Sequence, residues 1–343
     1  MLSQQQLEEI KQSLENSQSP LFFFDNDCDG LCSFLLLQRA LGRGKGVAIK
    51  SFPDLDKGYV RKLHELNPDA VFILDKPNVS KEFIQGVLEK NLPLVWIDHH
   101  EVQIPTDLQG VNYYNSFPTA EPTTYICHQI FKRKQDEWIA LIGCISDVYM
   151  PDFAKQFAEE FPELFNASLS AFDSLYRTEI GKAAKILGFG LKDSTTNVVR
   201  LTKFLIKAKS VYDVLNDQID KPLHKKYNEL NNHYQKLVSK AMSAISADSN
   251  LIYFAYSGEF SISAEISNEL YFRYPDKTIV AVFKKQDKAN ISIRGKSAKI
   301  ITLAAIKNIE GATGGGHKEA TGAQVPIDKL EEFKKNIEEL TKA

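Results

Sequence analysis

Cysteine is scarce in this chain. Cys28, Cys32, Cys127 and Cys144 are the only four in 343 residues, too few for a disulfide scaffold and without the paired spacing of a structural zinc site. A reducing, cytoplasmic location is expected. Long apolar runs are also missing: even Leu31–Leu37 is interrupted by Cys32 and Ser33 and soon meets Gln38 and Arg39. A spanning helix needs roughly 20 such residues, so no membrane association is expected. Nor does one sign of charge prevail. With 42 Lys plus Arg against 44 Asp plus Glu, a net charge of −2 gives no bulk pull toward nucleic acid or anionic lipid. Any site for a polyanion must be local. Met1–Ser17 lacks the apolar core of a signal peptide; Leu2, Leu7, Ile10 and Leu14 stand in it at helical spacing, which predicts a short surface helix.

What is present is ordinary globular usage, 43% hydrophobic and 25% charged, in a chain long enough for about two domains. Leu21–Phe24 is uniformly apolar and breaks into the acidic turn Asp25-Asn26-Asp27-Cys28-Asp29-Gly30, followed by an apolar helical stretch to Leu41. Further buried-strand runs lie at Val47–Phe52, Ala70–Leu74 and Leu92–Ile97, with helical patterns at Tyr59–Glu65 and Ser80–Leu88 between them. This alternation predicts an α/β domain with a mostly parallel sheet. Helical patterns then dominate at Thr119–Phe131, Asp136–Asp147, Phe153–Glu160, Ala167–Leu187 and Thr195–Ala208. A longer one at Pro222–Ile245 has Tyr227, Leu230, Tyr234, Leu237, Val238, Ala241 and Ile245 on one face. Strand character returns at Leu251–Tyr256, Thr278–Lys284 and Ala289–Arg294, with helices at Ala264–Arg273, Ala298–Asn308 and Ile327–Lys342. The expected plan is an N-terminal catalytic domain over 1–190, a helical connector over 191–247 and a smaller α/β domain over 248–343.

Ligands of open parallel sheets bind beyond the carboxyl ends of the strands. Three of the four predicted strands in the first domain are followed directly by an Asp: Asp25, Asp75 and Asp98. Scattered acids are usually solvated, but acids at one end of several parallel strands share a crevice. Asp25-x-Asp27-x-Asp29-Gly30 opens like an EF-hand loop, yet its twelfth position is Leu36 where a bidentate Glu is required, and a strand precedes it. Trp96-Ile97-Asp98-His99-His100 delivers a carboxylate and two imidazoles into one loop, a donor mixture suited to Mn2+ or another borderline divalent ion. Asp147 ends an apolar helical segment, where an unpaired carboxylate would be costly, so it should be paired, hydrogen-bonded or metal-bound. Gly314-Gly315-Gly316-His317 frees backbone N–H groups for an anion, with a helix expected directly after it, and Ser292-Ile293-Arg294 leaves a nearby strand.

In this order, Asp27-x-Asp29-Gly30, Asp75, Asp98-His99-His100, Asp147 and Gly314-Gly315-Gly316-His317 resemble the motifs of the DHH phosphoesterase superfamily over nearly the whole chain. The plan is most similar to the RecJ-like and nanoRNase branch with its C-terminal DHH-associated domain. The resemblance implies a centre of two Mn2+, with Mg2+ as the alternative ion. Asp75 would bridge, Asp27 and Asp29 would serve one metal each, and His99 and Asp147 would complete the ligands of the second metal. Asp98 would orient the cluster, His100 would sit beside the reacting phosphate, and Arg294, His317 and the glycines Gly314, Gly315 and Gly316 would hold a terminal phosphate or nucleotide. The family's first motif usually opens with His where this chain has Asp25, which then becomes a ligand candidate of its own.

The activity so implied is two-metal hydrolysis of short single-stranded RNA or DNA, since the chain has little room for a further binding domain and no basic excess. A small-molecule phosphohydrolase acting on a cyclic dinucleotide or phosphoadenosine phosphate is the second reading, and a replication-associated scaffold of impaired activity is the third. A homodimer is compatible with all three.

Overall fold

Four consecutive apolar residues, Leu21–Phe24, leave no polar side for water, and both faces of the strand they form are covered. The computed structural model of the chain describes residues 1–49, 55–102, 109–119, 121–245 and 249–342. The expected positions 50–52, 120 and 246–247 of the strand, helix and connector lie outside them. Two compact units divide the chain, Met1–Tyr227 and Asn228–Ala343.

The first unit runs through α1 (Gln4–Asn16), β1 (Pro20–Asp25), α2 (Cys28–Leu41), β2 (Lys45–Ile49), α3 (Arg61–Leu66), β3 (Ala70–Leu74), α4 (Lys81–Leu88), β4 (Leu94–Asp98) and β5 (Val111–Asn115). It continues as helices: α5 (Thr123–Phe131), α6 (Glu137–Ser146), α7 (Ala154–Glu160), α8 (Ala171–Arg177), α9 (Glu179–Gly190), α10 (Thr195–Lys207) and α11 (Val211–Leu215). Helix α12 (Lys221–Ser243) contains the division point. The strands make one parallel sheet in the order β2-β1-β3-β4-β5. Because side chains alternate along a strand, Phe22, Phe24, Phe72, Leu74, Val95 and Ile97 enter a core with Leu35, Ile126, Leu141 and Ile186 of α2, α5, α6 and α9. Leu21, Phe23, Val71, Ile73, Leu94 and Trp96 enter another with Leu63 and Phe83 of α3 and α4. Phe22 stacks on Phe72 at 5.2 Å and Phe24 on Phe34 at 5.0 Å. Each such burial stabilises the fold by about 1.5–3 kcal/mol. The α/β expectation with a parallel N-terminal sheet therefore holds, and the sheet's direction carries Asp25, Asp75 and Asp98 to one edge.

Three local departures have plain causes. Leu7, Ile10 and Leu14 make α1 part of the first core rather than a surface helix, with Ser3 and Gln6 closing a capping box at its start. The segment expected as one helix over Ala167–Leu187 is α8 and α9, parted at Thr178, whose hydroxyl caps α9 by accepting from Gly181 N at 3.1 Å. Beyond 190, Leu201, Leu205, Val211, Val214 and Leu223 pack into the first core, so these helices are built into that unit.

The second unit contains β6 (Leu251–Ser257), α13 (Ser263–Arg273), β7 (Thr278–Lys284), β8 (Lys288–Arg294), α14 (Ala298–Ile306), β9 (Thr313–Gly316), β10 (Ala320–Pro326) and α15 (Leu330–Leu340). Its sheet has the order β6-β7-β8-β10-β9, with β6 and β7 parallel and the other pairs antiparallel. Val282, Ile291, Ile293 and Val325 pack with Ala305 of α14 and Phe333 and Ile337 of α15. The glycine run is not a loop ahead of a helix. It is β9, pairing Gly315 with Gly322 and Gly316 with Thr321, and the next α-helix is α15. Gly316 turns the chain at φ 133, and a Cβ there would stand 2.6 Å from Ala320 O, so the hairpin needs a residue without one.

Candidate metal centre

The acidic turn after β1 is shaped by α2. Asp27 caps that helix, its carboxylate accepting from Gly30 N at 2.9 Å, and lies at the exposed side of the site. Gly30 packs so closely on β1 that a Cβ would meet Asp25 O at 2.4 Å. This glycine fixes where the first turn of α2, and with it Asp29, lies against the strand end. Asp29 is buried and accepts from Thr123 N at 3.0 Å and Thr124 N at 2.7 Å, so the N-terminus of α5 holds both its oxygens.

Asp75 follows β3 in the left-handed region at φ 58, its N–H donating to Ile97 O at 2.9 Å. That conformation turns its buried carboxyl back toward β1 and β4. Asp75 Oδ1 lies 3.3 Å from His99 Nε2, 3.8 Å from His100 Nδ1 and 3.4 Å from Thr123 Oγ1, and the carboxyl hydrogen-bonds that of Asp27. Burial first, then the charges of Asp29, Asp27, Asp25 and Asp98, push Asp75 well above the ordinary carboxylate range.

β4 ends on Asp98 and hands the chain to His99 and His100. His99 Nε2 is 3.7 Å from Asp29 Oδ2 and its Nδ1 is 3.7 Å from Asp147 Oδ2. Burial lowers its pKa against the pull of Asp29, which favours the neutral, metal-ligating imidazole. His100 Nδ1 is 2.8 Å from Asp98 Oδ1. Burial opposes protonation of His100, but the Asp98 hydrogen bond and the charges of Asp98, Asp147 and Asp27 outweigh it and lift it to about 9. Asp147 stands at the C-terminal end of α6, its N–H on Gly143 O at 3.2 Å.

Asp25 departs from this group. Its Oδ1 accepts from Asn26 N at 2.9 Å and lies 3.3 Å from Lys76 Nζ, a buried ion pair. Burial, then the charge of Asp27, raise the Asp25 carboxyl to about 7 against the pull of Lys76. Trp96 Nε1 donates to Lys76 O at 2.9 Å and holds that backbone in place. Sequence reasoning passed over Lys76, since lysine reads as solvated by default. It also passed over Thr123 and Thr124, whose only signal is the Pro122-Thr123-Thr124 helix start.

The donor set suits a divalent cation. Asp29, His99 and Asp147 offer ligand atoms within 4.8 Å of one another, as do Asp75, Asp98 and His100, and Asp98 Oδ2 is buried without a hydrogen-bond partner. Carboxylate and imidazole together match Mn2+ or another borderline divalent ion, and positive charge would relieve the repulsion around Asp75.

In the second unit, Arg294 ends β8 and is paired in register with Ala320 at the start of β10, so it shares one end of the sheet with the glycine hairpin. Its Nε donates to Asn268 Oδ1 at 2.5 Å and its Nη1 to the carbonyls of Ile293 at 2.9 Å and Thr321 at 3.1 Å. His317 is exposed at the hairpin turn, its N–H on Ala320 O at 2.9 Å.

Residues 248–343 match the model of the DHHA1 domain family. No curated protein matches the sequence. Among solved structures, RecJ in complex with Mn2+ from Thermus thermophilus superposes with a TM-score of 0.70 at 16% identity, over 99% of this chain and 55% of that one. This chain thus spans little more than half of that RecJ. The pGpG-specific phosphodiesterase PggH from Vibrio cholerae gives 0.51 at 16% identity, over 94% of this chain and 99% of that one. CDC45 from Entamoeba histolytica gives 0.54 at 10%, over 99% of each. At such identities these likenesses show a shared fold.

Proposed function

We propose, for a chain with the RecJ-like DHH architecture and a DHHA1 domain as its C-terminal part, that it is a metal-dependent phosphodiesterase hydrolysing short single-stranded RNA or DNA. The observation that carries this reading is the convergence of Asp29, Asp75, His99 and Asp147 at one edge of the parallel sheet. These four residues would hold Mn2+, or Mg2+ in its place; when bound, such an ion polarises a phosphoryl oxygen and lowers the pKa of a bound water. The chain's own residues do the rest. Thr123 and Thr124 fix Asp29, and Asp75 joins the two halves of the cluster. Asp98 commits His100 Nδ1, so the contact of this ring with a phosphate oxygen falls to Nε2.

Arg294 and His317 are proposed to take the terminal phosphate, which makes short substrates the favoured class. Four buried cysteines outside any disulfide support a cytoplasmic setting, and no helix among the described residues is long and apolar enough to cross a membrane. The test is turnover by the purified chain on labelled RNA and DNA from dinucleotides to long strands, with Mn2+, Mg2+ or chelator. Chelator-sensitive hydrolysis favouring the shortest strands is expected. Hydrolysis of cyclic dinucleotides or phosphoadenosine phosphate alone would install the small-molecule reading, and no turnover on any substrate would install the scaffold.

A further inference from the structure

A lysine stands among the acids at the sheet edge of the first unit. Lys76 is 2% exposed, its Nζ 3.3 Å from Asp25 Oδ1. Among the described residues, Asp25 is the one carboxylate within 4.0 Å of that ammonium. Lys76 follows Asp75 directly, and the Trp96 indole holds its carbonyl, so the side chain is delivered to the sheet edge by the same turn that delivers Asp75. A buried ammonium cannot lose its partner cheaply, and neither can a buried carboxylate. Asp25 is therefore committed to Lys76 and to Asn26 N.

The remaining ligand atoms are unevenly spread. Asp29, His99 and Asp147 form one group, with Asp75 3.3 Å from His99, whereas in the group of Asp75, Asp98 and His100 the His100 ring and Asp98 are tied to each other by a hydrogen bond at 2.8 Å. Where Asp25 and Asp27 approach Asp75, the Lys76 ammonium offers no lone pair to a metal and repels one electrostatically. We propose that the Lys76 ammonium takes the place of one of two divalent ions, so that the centre binds a single metal ion per chain. The ion is the one held by Asp29, Asp75, His99 and Asp147. Asp25 serves as the counter-ion of Lys76 and is not a ligand. This rests on the metal-hydrolase reading above and narrows it from two ions to one ion and one fixed charge.

Titration of metal-stripped full-length protein with Mn2+ by calorimetry, together with the electron paramagnetic resonance spectrum of the loaded protein, decides the matter without any turnover. Wild type should bind one ion and show the signal of an isolated Mn2+. Asp25→His combined with Lys76→Ala should bind two and show a spin-coupled pair. Two coupled ions in wild type would overturn the inference while leaving the metal-hydrolase reading intact. One ion in both folded proteins would overturn the role given to Lys76. No Mn2+ bound by either would overturn the metal-dependent reading itself and this inference with it. If circular dichroism shows the double variant unfolded, Lys76→Gln, which keeps the stem and removes the charge, supplies the same comparison.

Discussion

At φ 58, Asp75 occupies a region that strains most residues by about 1–3 kcal/mol and that Asp tolerates better than most. In return its carboxyl reaches His99, His100, Thr123 and Asp27 together. Asp75→Ala should lower kcat/KM on a dinucleotide by about three orders of magnitude or more, because a ligand of the proposed ion is lost. A folded variant with near-wild-type Mn2+-supported turnover would refute the assignment.

A second residue-scale outcome lies away from the centre, at His128, whose two ring nitrogens are buried without hydrogen-bond partners. Burial lowers its pKa from 6.5 to about 4. The unfolded chain therefore takes up a proton there between about pH 6.5 and 4 while the folded chain does not, so stability is full above that window and falls as pH drops through it. The loss approaches about 3 kcal/mol. His128→Phe should flatten the decline of the melting temperature over this range, and an unchanged slope would show that other groups set it.

The sequence disclosed the individual acids and histidines because they stand at the ends of apolar runs that name their strands and helices. Lys76 and the Thr123–Thr124 pair stayed hidden for the opposite reason. Their roles depend on which neighbours the fold supplies, Asp25 and Asp29, from about fifty to nearly a hundred positions earlier in the chain. No local pattern encodes such a pairing.

At the scale of elements, β1, β3 and β4 were legible because both their faces are apolar. β5 was not: it is a polar edge strand, Val-Asn-Tyr-Tyr-Asn, only partly buried. β9 was illegible because glycines carry no side chains to alternate, and its partner β10 buries only Thr321, Ala323 and Val325. The junction of β1 and α2 gives the prediction proper to this scale. Gly30→Ala would drive a methyl into the Asp25 carbonyl, which only backbone movement can relieve. A loss of about 1–3 kcal/mol in unfolding free energy is expected, together with weakened Mn2+ binding because Asp29 shifts with the turn. Denaturant titration and calorimetry would show both; an unaltered Mn2+ affinity would mean that α2 does not position the ligand.

For the whole molecule, each unit has its own sheet and core, and the proposed division of labour sets metal chemistry in the first and phosphate recognition in the second. Arg294→Lys and His317→Ala should then reduce kcat/KM on dinucleotides to tetranucleotides far more than on a small generic phosphodiester, since Lys cannot reproduce the fixed guanidinium that Asn268 and the carbonyls of Ile293 and Thr321 hold in place. Equal losses on both substrates would assign these residues to the fold instead.

Metal should also act on the stability of the entire chain. At a hundredfold excess over its Kd, Mn2+ should add about 2.7 kcal/mol and raise the melting temperature, and chelator should reverse it; an indifferent melting curve would speak against a resident ion. The crowding of Asp27, Asp29 and Asp98 around the buried Asp75 then reaches beyond chemistry into the cell's upkeep of the protein. A chain made during metal starvation would carry that repulsion unrelieved, open more often and be cleared sooner by proteases, so the standing amount of the protein, and not only the proposed activity, would follow the supply of the ion.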